Sequence, residues 1–261
     1  MNYLVIKCGG SVFEALPFSF FEDIVNLQKN SPYQPVIVHG GGPLINSLLE
    51  RLEVESPFVD GLRVTNSEVL DVVEMALSGS LNKQIVRKLH KAGGNGFGLS
   101  GIDGQLLTAV PAGENHSLGF VGKVSEVNSV IVDQIAGLGY IPVISPLGID
   151  EQGQTYNINA DMAAASIAQA LKAKLCFISD IPGILVEEHG EQTTLHQATA
   201  EKIEGLIEAG IIKGGMIPKV RSAIEALGHG VPEVSIINGM APDSLTEFTN
   251  GEKIGTKITL D

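Results

Sequence analysis

The sequence predicts an α/β fold in which a mainly parallel sheet is covered on both faces by helices. Short, β-branched, almost continuously apolar runs alternate with segments of helical period along nearly the whole chain of 261 residues. Strands that are apolar on both faces are typical of parallel sheets buried between helix layers. We expect a single domain over residues 1–261, with an N-lobe of about residues 1–150 and a C-lobe of about residues 151–261.

Five apolar runs are predicted to be buried strands of that sheet: Tyr3–Ile6, Pro35–Val38, Tyr140–Ile144, Leu175–Ile178 and Glu233–Ile237. Each run is followed by glycine or by polar residues, beginning with Lys7 after the first run and His39 after the second. Ligands of open α/β sheets bind beyond the carboxyl ends of the strands. We therefore expect the active site at this edge of the sheet.

Helical period is present in the segments between the strands. Residues 43–52 and 82–92 each place their apolar side chains on one face. Thr65 and Glu68 have the spacing of a capping box for a further helix that runs through Ser78. We expect the apolar face of this helix to pack in the core, with a contact between two subunits as the alternative. Residues 96–123 are predicted to form short strands with glycine turns, as hairpins do, rather than βα units.

The composition argues against several classes of function. The formal net charge of −13 disfavours non-specific binding to nucleic acid or to an anionic membrane. No apolar stretch approaches the ~20 residues of a membrane span, and the N-terminus does not resemble a signal peptide, so we expect a cytoplasmic protein. Cys8 and Cys176 are too few for a disulfide framework or a metal site and are predicted to be buried thiols.

Two glycine turns are predicted to bind phosphate. The first places Lys7 next to Gly9–Gly10, and so a cation beside unobstructed backbone N–H groups. The second, Gly40–Gly42, precedes Pro43, which suits the first position of a helix whose N-terminus attracts anions. The alternatives are a turn with a solvated lysine and a tight turn without a ligand. We expect His39 to be structural.

Three further segments carry polar side chains that suit a ligand site. Arg63 has the planar guanidinium that pairs with a carboxylate of a ligand, and a solvated or surface-paired arginine is the alternative. Asn157–Asp161 holds two amides and a carboxylate at the start of an alanine-rich helix, where helix capping is the alternative. Lys219 lies near the positive end of another helix, which favours an anionic ligand nearby, with solvation as the alternative. Gly96–Gly101 matches a dinucleotide fingerprint but leads into a turn instead of a helix.

Seven segments, taken together and in this order, resemble the amino acid kinase family across essentially the full chain: KCGGS, VHGGGP, DGLRVT, GFVGKV, NINADMAA, SDIPGI and GGMIPKV. The resemblance implies an open αβα sandwich with a largely parallel central sheet. It implies an N-lobe that binds an amino acid derivative and a C-lobe that binds ATP. Within the family, the segments are most similar to members that phosphorylate the side-chain carboxylate of N-acetyl-L-glutamate, the second step of the acetylated route to arginine.

The resemblance also implies roles for individual residues. Lys7 and Lys219 match lysines that stabilise the transferring phosphoryl group, Asp161 matches the carboxylate that holds them, and Gly10 offers a backbone N–H to the phosphoryl oxygens. The implied substrate-binding positions, with Arg63 on an α-carboxylate, are Gly41, Gly42, Arg63, Asn157 and Asn159. The implied nucleotide-binding positions are Lys7, Gly9, Asp180, Ile181, Gly183, Ile184, Leu185, Ile211, Ile212 and Lys213.

The expected cofactors are ATP and Mg²⁺, with the metal held mainly by the nucleotide phosphates and no dedicated protein cage. A carboxylate acceptor is already ionised at neutral pH, so no general base is required. Arginine-inhibited relatives carry an additional N-terminal helix, whereas the first predicted strand here begins at about Tyr3. We therefore expect an arginine-insensitive homodimer, and docking of a PII-type regulator stays open.

Several alternatives share these patterns. Kinases of glutamate, aspartate, carbamate or uridylate have a similar first glycine turn, and substrate choice within a family depends on few contacts. A non-catalytic sensor of ATP or an amino acid would keep the fold without the reaction. A Rossmann-type dehydrogenase is disfavoured because the dinucleotide fingerprint is in the wrong context.

Overall fold

The computed structural model describes residues 1–113, 117–188 and 191–261. In chain order, its strands are β1 (Asn2–Cys8), β2 (Tyr33–His39), β3 (Phe58–Val59), β4 (Leu62–Arg63), β5 (Gly96–Ser100), β6 (Leu107–Pro111), β7 (Val121–Val127), β8 (Ile141–Ser145), β9 (Leu147–Ile149), β10 (Thr155–Ile158), β11 (Lys174–Ser179), β12 (Leu185–Glu188), β13 (Glu191–Thr194), β14 (Gln197–Thr199), β15 (Val234–Asn238) and β16 (Thr256–Thr259). Its α-helices are α1 (Gly10–Ala15), α2 (Phe18–Asn30), α3 (Gly42–Arg51), α4 (Ser67–Glu74), α5 (Asn82–Lys91), α6 (Ser129–Gly137), α7 (Ala160–Ala170), α8 (Ala200–Glu208), α9 (Met216–Gly228) and α10 (Ser244–Thr249).

The central sheet has eight strands in the order β14-β16-β15-β11-β1-β2-β8-β5. From β15 to β5 every neighbouring pair is parallel, and the antiparallel step is that between β15 and β16. The five strands predicted from apolar runs are all in this sheet. The prediction of a mainly parallel sheet is thus confirmed.

Helices cover both faces of the sheet. Side chains of β1 point alternately to the two faces, so neighbouring residues pack against different helix layers. Leu4 and Ile6 pack in a core cluster with residues of α2, α5 and α10. Tyr3 and Val5 pack in a second cluster with residues of α6, α7 and α9. Because successive side chains of a strand point to opposite faces, Lys7 is on the side of α7. The strand thereby directs this lysine toward the start of α7.

A small closed barrel lies beside the sheet. It contains only part of residues 96–123, so the prediction of hairpins throughout this segment is partly wrong. The barrel has the order β10-β7-β6-β9, and β6 pairs antiparallel with β7 as a hairpin should. However, β5 is the edge strand of the central sheet, parallel to β8. Its glycines allow close packing on α5, since a Cβ on Gly98 would lie 2.0 Å from Oδ1 of Asn82. The fingerprint segment does lead into a turn, a 3₁₀ turn at Asp103–Gln105.

The predicted capping box is wrong. The N-cap of α4 is Asn66, whose Oδ1 accepts from the backbone N–H of Val69 at 2.9 Å. The Thr65 hydroxyl instead donates to the carbonyl of Arg63 at 2.8 Å. Nor does the helix end at Ser78, because α4 continues as a π-helical segment, Met75–Leu81, directly into α5. The apolar face of α4 packs in the core, in a cluster that contains Ile45, Leu49, Val69, Val72, Val73 and Leu77.

Both cysteines are free and buried, as the sequence predicted. Burial raises the pKa of the Cys8 thiol to about 12, so it stays protonated at neutral pH. In the part of the chain that the structure describes, no helix combines the length and apolar character needed to cross a membrane.

Candidate active site

The two glycine turns meet at the carboxyl edge of β1 and β2. The backbone N–H of Gly40 donates to the carbonyl of Cys8 at 2.9 Å. A Cβ on Gly10 would lie 2.8 Å from Cα of Gly41 and 2.9 Å from the backbone nitrogens of Gly41 and Gly42. Glycine is therefore required at residue 10 by this backbone approach. The helix that follows the second turn, α3, has no side-chain cap, so its first N–H groups can bind an anion.

His39, between β2 and the second turn, is structural. It is fully buried, its Nδ1 lies 3.2 Å from the carbonyl of Gly40, and its Nε2 lies 3.3 Å from the amide nitrogen of Asn82. A carbonyl only accepts and an amide nitrogen only donates, so Nδ1 carries the proton and Nε2 accepts. Burial lowers the pKa of His39 to about 4. The neutral ring fixes the position of Gly40 as the chain enters the second turn.

Lys7 and Asp161 form the ion pair at the centre of the site. Nζ of Lys7 lies 2.6 Å from Oδ1 of Asp161, and both side chains are largely shielded from solvent. Among the described residues, Oδ1 has no hydrogen-bond partner outside this ion pair. Asp161 is in the first turn of α7, whose positive end stabilises a carboxylate. The pair thus joins the end of β1 to the start of α7.

Lys219, near the start of α9, is the second cation of the site. It is half-buried and lines the same cavity as Lys7 and Asp161. Burial is the main cause that lowers the pKa of Lys219, and the charge of Lys7 lowers it further, while Asp161 and Asp180 act in the opposite direction. Lys219 thus lies near Lys7, which is already paired with the carboxylate of Asp161. An anionic ligand would relieve the repulsion between them.

A cavity of about 240 Å³ lies on one side of the Lys7–Asp161 pair. Both glycine turns, β4 and the start of α7 surround it. Its lining contains the predicted catalytic residues Lys7, Gly10 and Asp161, and every predicted substrate-binding residue: Gly41, Gly42, Arg63, Asn157 and Asn159.

Arg63 is a buried cation without a carboxylate partner among the described residues. Its side chain donates to Oδ1 of Asn46 and lies 4.5 Å from the centre of the Phe58 ring. It is 8% exposed, and burial lowers its pKa. A buried guanidinium is costly unless it is paired. The cavity therefore suits a ligand that brings its own carboxylate.

The two amides of the NINAD segment have different local partners. Oδ1 of Asn159 caps α7 by accepting from the backbone N–H of Asp161 at 2.8 Å and of Met162 at 3.2 Å. The capping role foreseen as an alternative therefore holds for Asn159, although the residue also lines the cavity. The amide nitrogen of Asn157 donates to the hydroxyl of Thr65 at 3.1 Å.

Two larger cavities continue the site on the other side of the ion pair. One, of about 460 Å³, is lined by Lys7, Gly9, Asp161, Asp180 and Lys219. The next, of about 710 Å³, shares Ile181 and Lys213 with it and is lined by the remaining predicted nucleotide-binding residues, Gly183, Ile184, Leu185, Ile211 and Ile212. The cavities thus form a row, with the Lys7–Asp161 pair between the first two.

The contacts of Asn46 and Thr65 are not predicted by the sequence patterns. Asn46 lies within a predicted helix, and Thr65 is predicted as a helix cap and as the end of the DGLRVT segment. The signal available for Asn46 was its place in the first turns of α3, directly after the second glycine turn. Among the described residues, no group of three or more His, Cys, Asp or Glu side chains could hold a metal ion.

Comparison with known proteins places this chain in a family. The model of the amino acid kinase family matches residues 2–238. The chain belongs to the amino acid kinase family. Among curated members, the acetylglutamate kinase of Geobacillus stearothermophilus is 49% identical over 256 residues, which cover 98% of this chain and 95% of that protein. The acetylglutamate kinase of Oceanobacillus iheyensis is 44% identical over 259 residues, 99% of this chain and 97% of that protein.

Solved structures superimpose on nearly the whole chain. A Streptococcus mutans UA159 protein is 32% identical with a TM-score of 0.81 and coverage of 99% of both chains. An N-acetylglutamate synthase from Neisseria gonorrhoeae, complexed with coenzyme A and N-acetyl-glutamate, is 25% identical with a TM-score of 0.82, covering 100% of this chain and 60% of that one. A carbamate kinase from Giardia lamblia shares the fold at 16% identity, with a TM-score of 0.71 and coverage of 100% and 99%. The predicted family and αβα fold are confirmed.

Proposed function

We propose that this chain is an ATP-dependent kinase that phosphorylates the side-chain carboxylate of N-acetyl-L-glutamate. The products are N-acetyl-L-glutamyl 5-phosphate and ADP, and the step belongs to arginine biosynthesis. The names of relatives that are 44% and 49% identical over nearly their full length support this proposal. The observation that carries it is the row of cavities that meets at Lys7 and Asp161, with Lys219 in the lining of the second cavity.

The acyl amino acid occupies the cavity lined by Arg63. Its α-carboxylate pairs with the guanidinium, whose fork geometry suits two parallel hydrogen bonds. The burial of Arg63 without a carboxylate partner among the described residues supports this assignment. Gly41, Gly42, Asn157 and Asn159 complete the contacts to the substrate. This arrangement leaves the side-chain carboxylate pointing toward Lys7.

Phosphoryl transfer needs positioning and charge stabilisation more than covalent help from the protein. A carboxylate oxygen of the substrate forms a bond to the γ-phosphorus, and the bond from that phosphorus to the bridging oxygen of ADP breaks. Lys7 and Lys219 stabilise the negative charge on the transferring group. The backbone N–H groups of Gly10 and Gly41 donate to its oxygens. The acceptor is already ionised, so no proton has to be removed.

Asp161 positions the cations. Its carboxylate holds Lys7 at 2.6 Å and is one of the charges that raise the pKa of Lys219. Without it, two neighbouring lysines would repel each other and swing toward solvent. The carboxylate therefore keeps both lysines directed at the phosphoryl path.

The nucleotide occupies the cavities beyond the ion pair, with contacts to Asp180, to the Ile181–Leu185 segment and to the Ile211–Lys213 segment. Mg²⁺ would neutralise charge on the phosphates and would be held mainly by them, since Mg²⁺ commonly keeps phosphate and water ligands. Of the nearby carboxylates, Asp161 is engaged with Lys7 and Asp180 is exposed. This fits a metal bound through the nucleotide.

The division into lobes follows from this assignment. We propose that the N-lobe, about residues 1–150, supplies most of the acyl amino acid site, and the C-lobe, about residues 151–261, supplies the ATP site. A homodimer, a cytoplasmic location and insensitivity to arginine stay predictions, and regulation by a PII-type partner stays open.

The test is an assay of the purified protein with ATP and Mg²⁺, in which hydroxylamine traps any acyl phosphate. N-acetyl-L-glutamate, L-glutamate and L-aspartate are compared as acceptors, and carbamate formation from bicarbonate and ammonia is followed through ADP release. We expect a hydroxamate with N-acetyl-L-glutamate alone. A stronger signal with another acceptor would assign the protein to a sister kinase. Silence with every acceptor, together with measurable ATP binding, would favour a non-catalytic sensor.

A further inference from the structure

The side chain of Thr65 is fully buried between the two residues assigned to the substrate's polar groups. Its hydroxyl donates to the carbonyl of Arg63 at 2.8 Å. The same oxygen accepts from the amide nitrogen of Asn157 at 3.1 Å. One hydroxyl thus bridges the strand that carries Arg63 and the segment that carries Asn157.

The chemistry of a hydroxyl fixes the direction of both bonds. A threonine hydroxyl has one proton to donate, and the Arg63 carbonyl can only accept it. The oxygen of Thr65 is then left as an acceptor, which selects the nitrogen end of the Asn157 amide. Oδ1 of Asn157 accepts no hydrogen bond from the described residues, so this acceptor is left for the ligand. Thr65 thereby determines which way the amide presents its donor and its acceptor.

The backbone holds Thr65 in this position. Its N–H donates to the carbonyl of Leu118 at 3.0 Å, and its carbonyl accepts from the N–H of Phe120 at 2.6 Å. The carbonyl of Phe120 in turn accepts from the N–H of Asn157 at 2.8 Å. Gly119, between these contacts, has a φ of +66°, and a Cβ there would lie 2.2 Å from the Thr65 carbonyl oxygen. Thr65 is therefore tied to the Asn157 segment by backbone as well as by side chain.

We propose that Thr65 is a positioning residue for the acyl amino acid, and that its hydroxyl sets the separation of Arg63 and Asn157 and the orientation of the Asn157 amide. This inference rests on the proposed function, because it assumes that both residues contact the substrate. It assigns no contact with the nucleotide to Thr65. The hydroxyl acts through its two neighbours and not on the reacting atoms.

The test compares Thr65→Val, which keeps the shape without the hydrogen bonds, with Thr65→Ser, which keeps the hydroxyl. Calorimetry gives the Kd for N-acetyl-L-glutamate without turnover, and steady-state kinetics gives KM for each substrate and kcat. We expect Thr65→Val to weaken binding of N-acetyl-L-glutamate about tenfold, which matches the loss of one or two buried hydrogen bonds. The KM for ATP should stay within about twofold of the wild-type value. Thr65→Ser should stay within about threefold for both substrates.

Three results would overturn the inference. These are wild-type affinity in Thr65→Val, equal losses in both variants, and a parallel rise in the KM for ATP. A double-mutant cycle with Asn157→Ala adds a further test, since residues that act together give non-additive effects. Additive effects would exclude action through Asn157. If the wild-type protein binds N-acetyl-L-glutamate without turnover, the proposed function fails while the affinity comparison still decides the role of Thr65. A wild-type protein that neither binds nor turns over this substrate would overturn both.

Discussion

Nζ of Lys7 lies 2.6 Å from Oδ1 of Asp161, and this contact joins the carboxyl end of β1 to the first turn of α7. The cavity assigned to the acyl amino acid and the cavity assigned to the phosphates both have these two residues in their lining. The ion pair therefore lies where the two substrates would meet. Its loss should affect catalysis more than the binding of either substrate alone.

Asp161→Asn tests this consequence. The amide cannot neutralise Lys7, so the lysines lose the charge that keeps them together, and we expect kcat to fall roughly 100-fold, the size of effect seen for one preorganised electrostatic contact. The KM values should change by much less. The control is Glu204→Gln, which removes the exposed ion pair between Glu204 and Arg221, whose charged atoms lie 3.6 Å apart. This control should leave kcat unchanged. A kcat for Asp161→Asn within threefold of wild type would contradict the role of the pair.

Gly10→Ala tests the contact between the glycine turns. The new methyl group would lie within 2.9 Å of backbone atoms of Gly41 and Gly42, which cannot move aside as a flexible side chain does. We expect at least a tenfold loss in kcat/KM and a destabilisation of about 1–3 kcal/mol, as for other overpacked sites. Urea unfolding and kinetics measure the two effects.

The matched control for this variant is Gly205→Ala in α8. A Cβ there meets no atom within 4 Å, and alanine is the better helix former, so the protein should be stabilised by up to about 1 kcal/mol. Full activity in Gly10→Ala would show that the turns are not held together as described.

His39 should make the protein less stable in mild acid. Its pKa is about 4 in the folded protein, against an ordinary value of 6.5, because burial disfavours the charged ring. Below pH 6.5 the unfolded chain takes up a proton that the folded protein resists. The stabilisation is therefore complete above pH 6.5 and is lost as the pH falls toward 4, by about 3 kcal/mol.

Urea unfolding between pH 7.5 and pH 4.5 measures how the free energy of unfolding depends on pH. The wild-type protein is compared with His39→Gln and with His90→Gln, a substitution of an exposed histidine. The first substitution should flatten the pH dependence of the free energy of unfolding, and the second should leave it close to that of the wild-type protein. Equal slopes in the wild-type protein and His39→Gln would show that His39 is not the group responsible.

Much of the fold was predictable because its signals are local. Strands that are buried on both faces give continuous apolar runs, and all five predicted runs are strands of the central sheet. Boundaries were less predictable. The spacing of Thr65 and Glu68 fits a capping box, but Asn66, the next residue, competes for the same role and is the N-cap. The π-helical continuation at Met75–Leu81 has no local signal in the sequence, and its Leu77 packs close to Gly41 of the second glycine turn.

The site was predictable in the same uneven way. Lys7, Gly10 and Gly41 follow predicted strands, so the topology brings them to one edge. The contacts of Asn46 and Thr65 depend on how α3 and the segment after β4 are placed in three dimensions, and spacing along the chain does not encode that placement. Glycines and charged residues that follow predicted strands are thus easier to predict than the residues that contact them.

Our central proposal is that two lysines stabilise a phosphoryl group as it passes between the cavities. The hydroxamate assay of Lys219→Ala with N-acetyl-L-glutamate and ATP tests it most directly. Lys219 lines the cavity assigned to the phosphates together with Lys7 and Asp161, and alanine puts no other charge in its place. We expect the wild-type protein to form the hydroxamate and kcat to fall roughly 100-fold or more in the variant. The Kd of N-acetyl-L-glutamate should stay within about threefold of the wild-type value. A variant that turns over at the wild-type rate would contradict it.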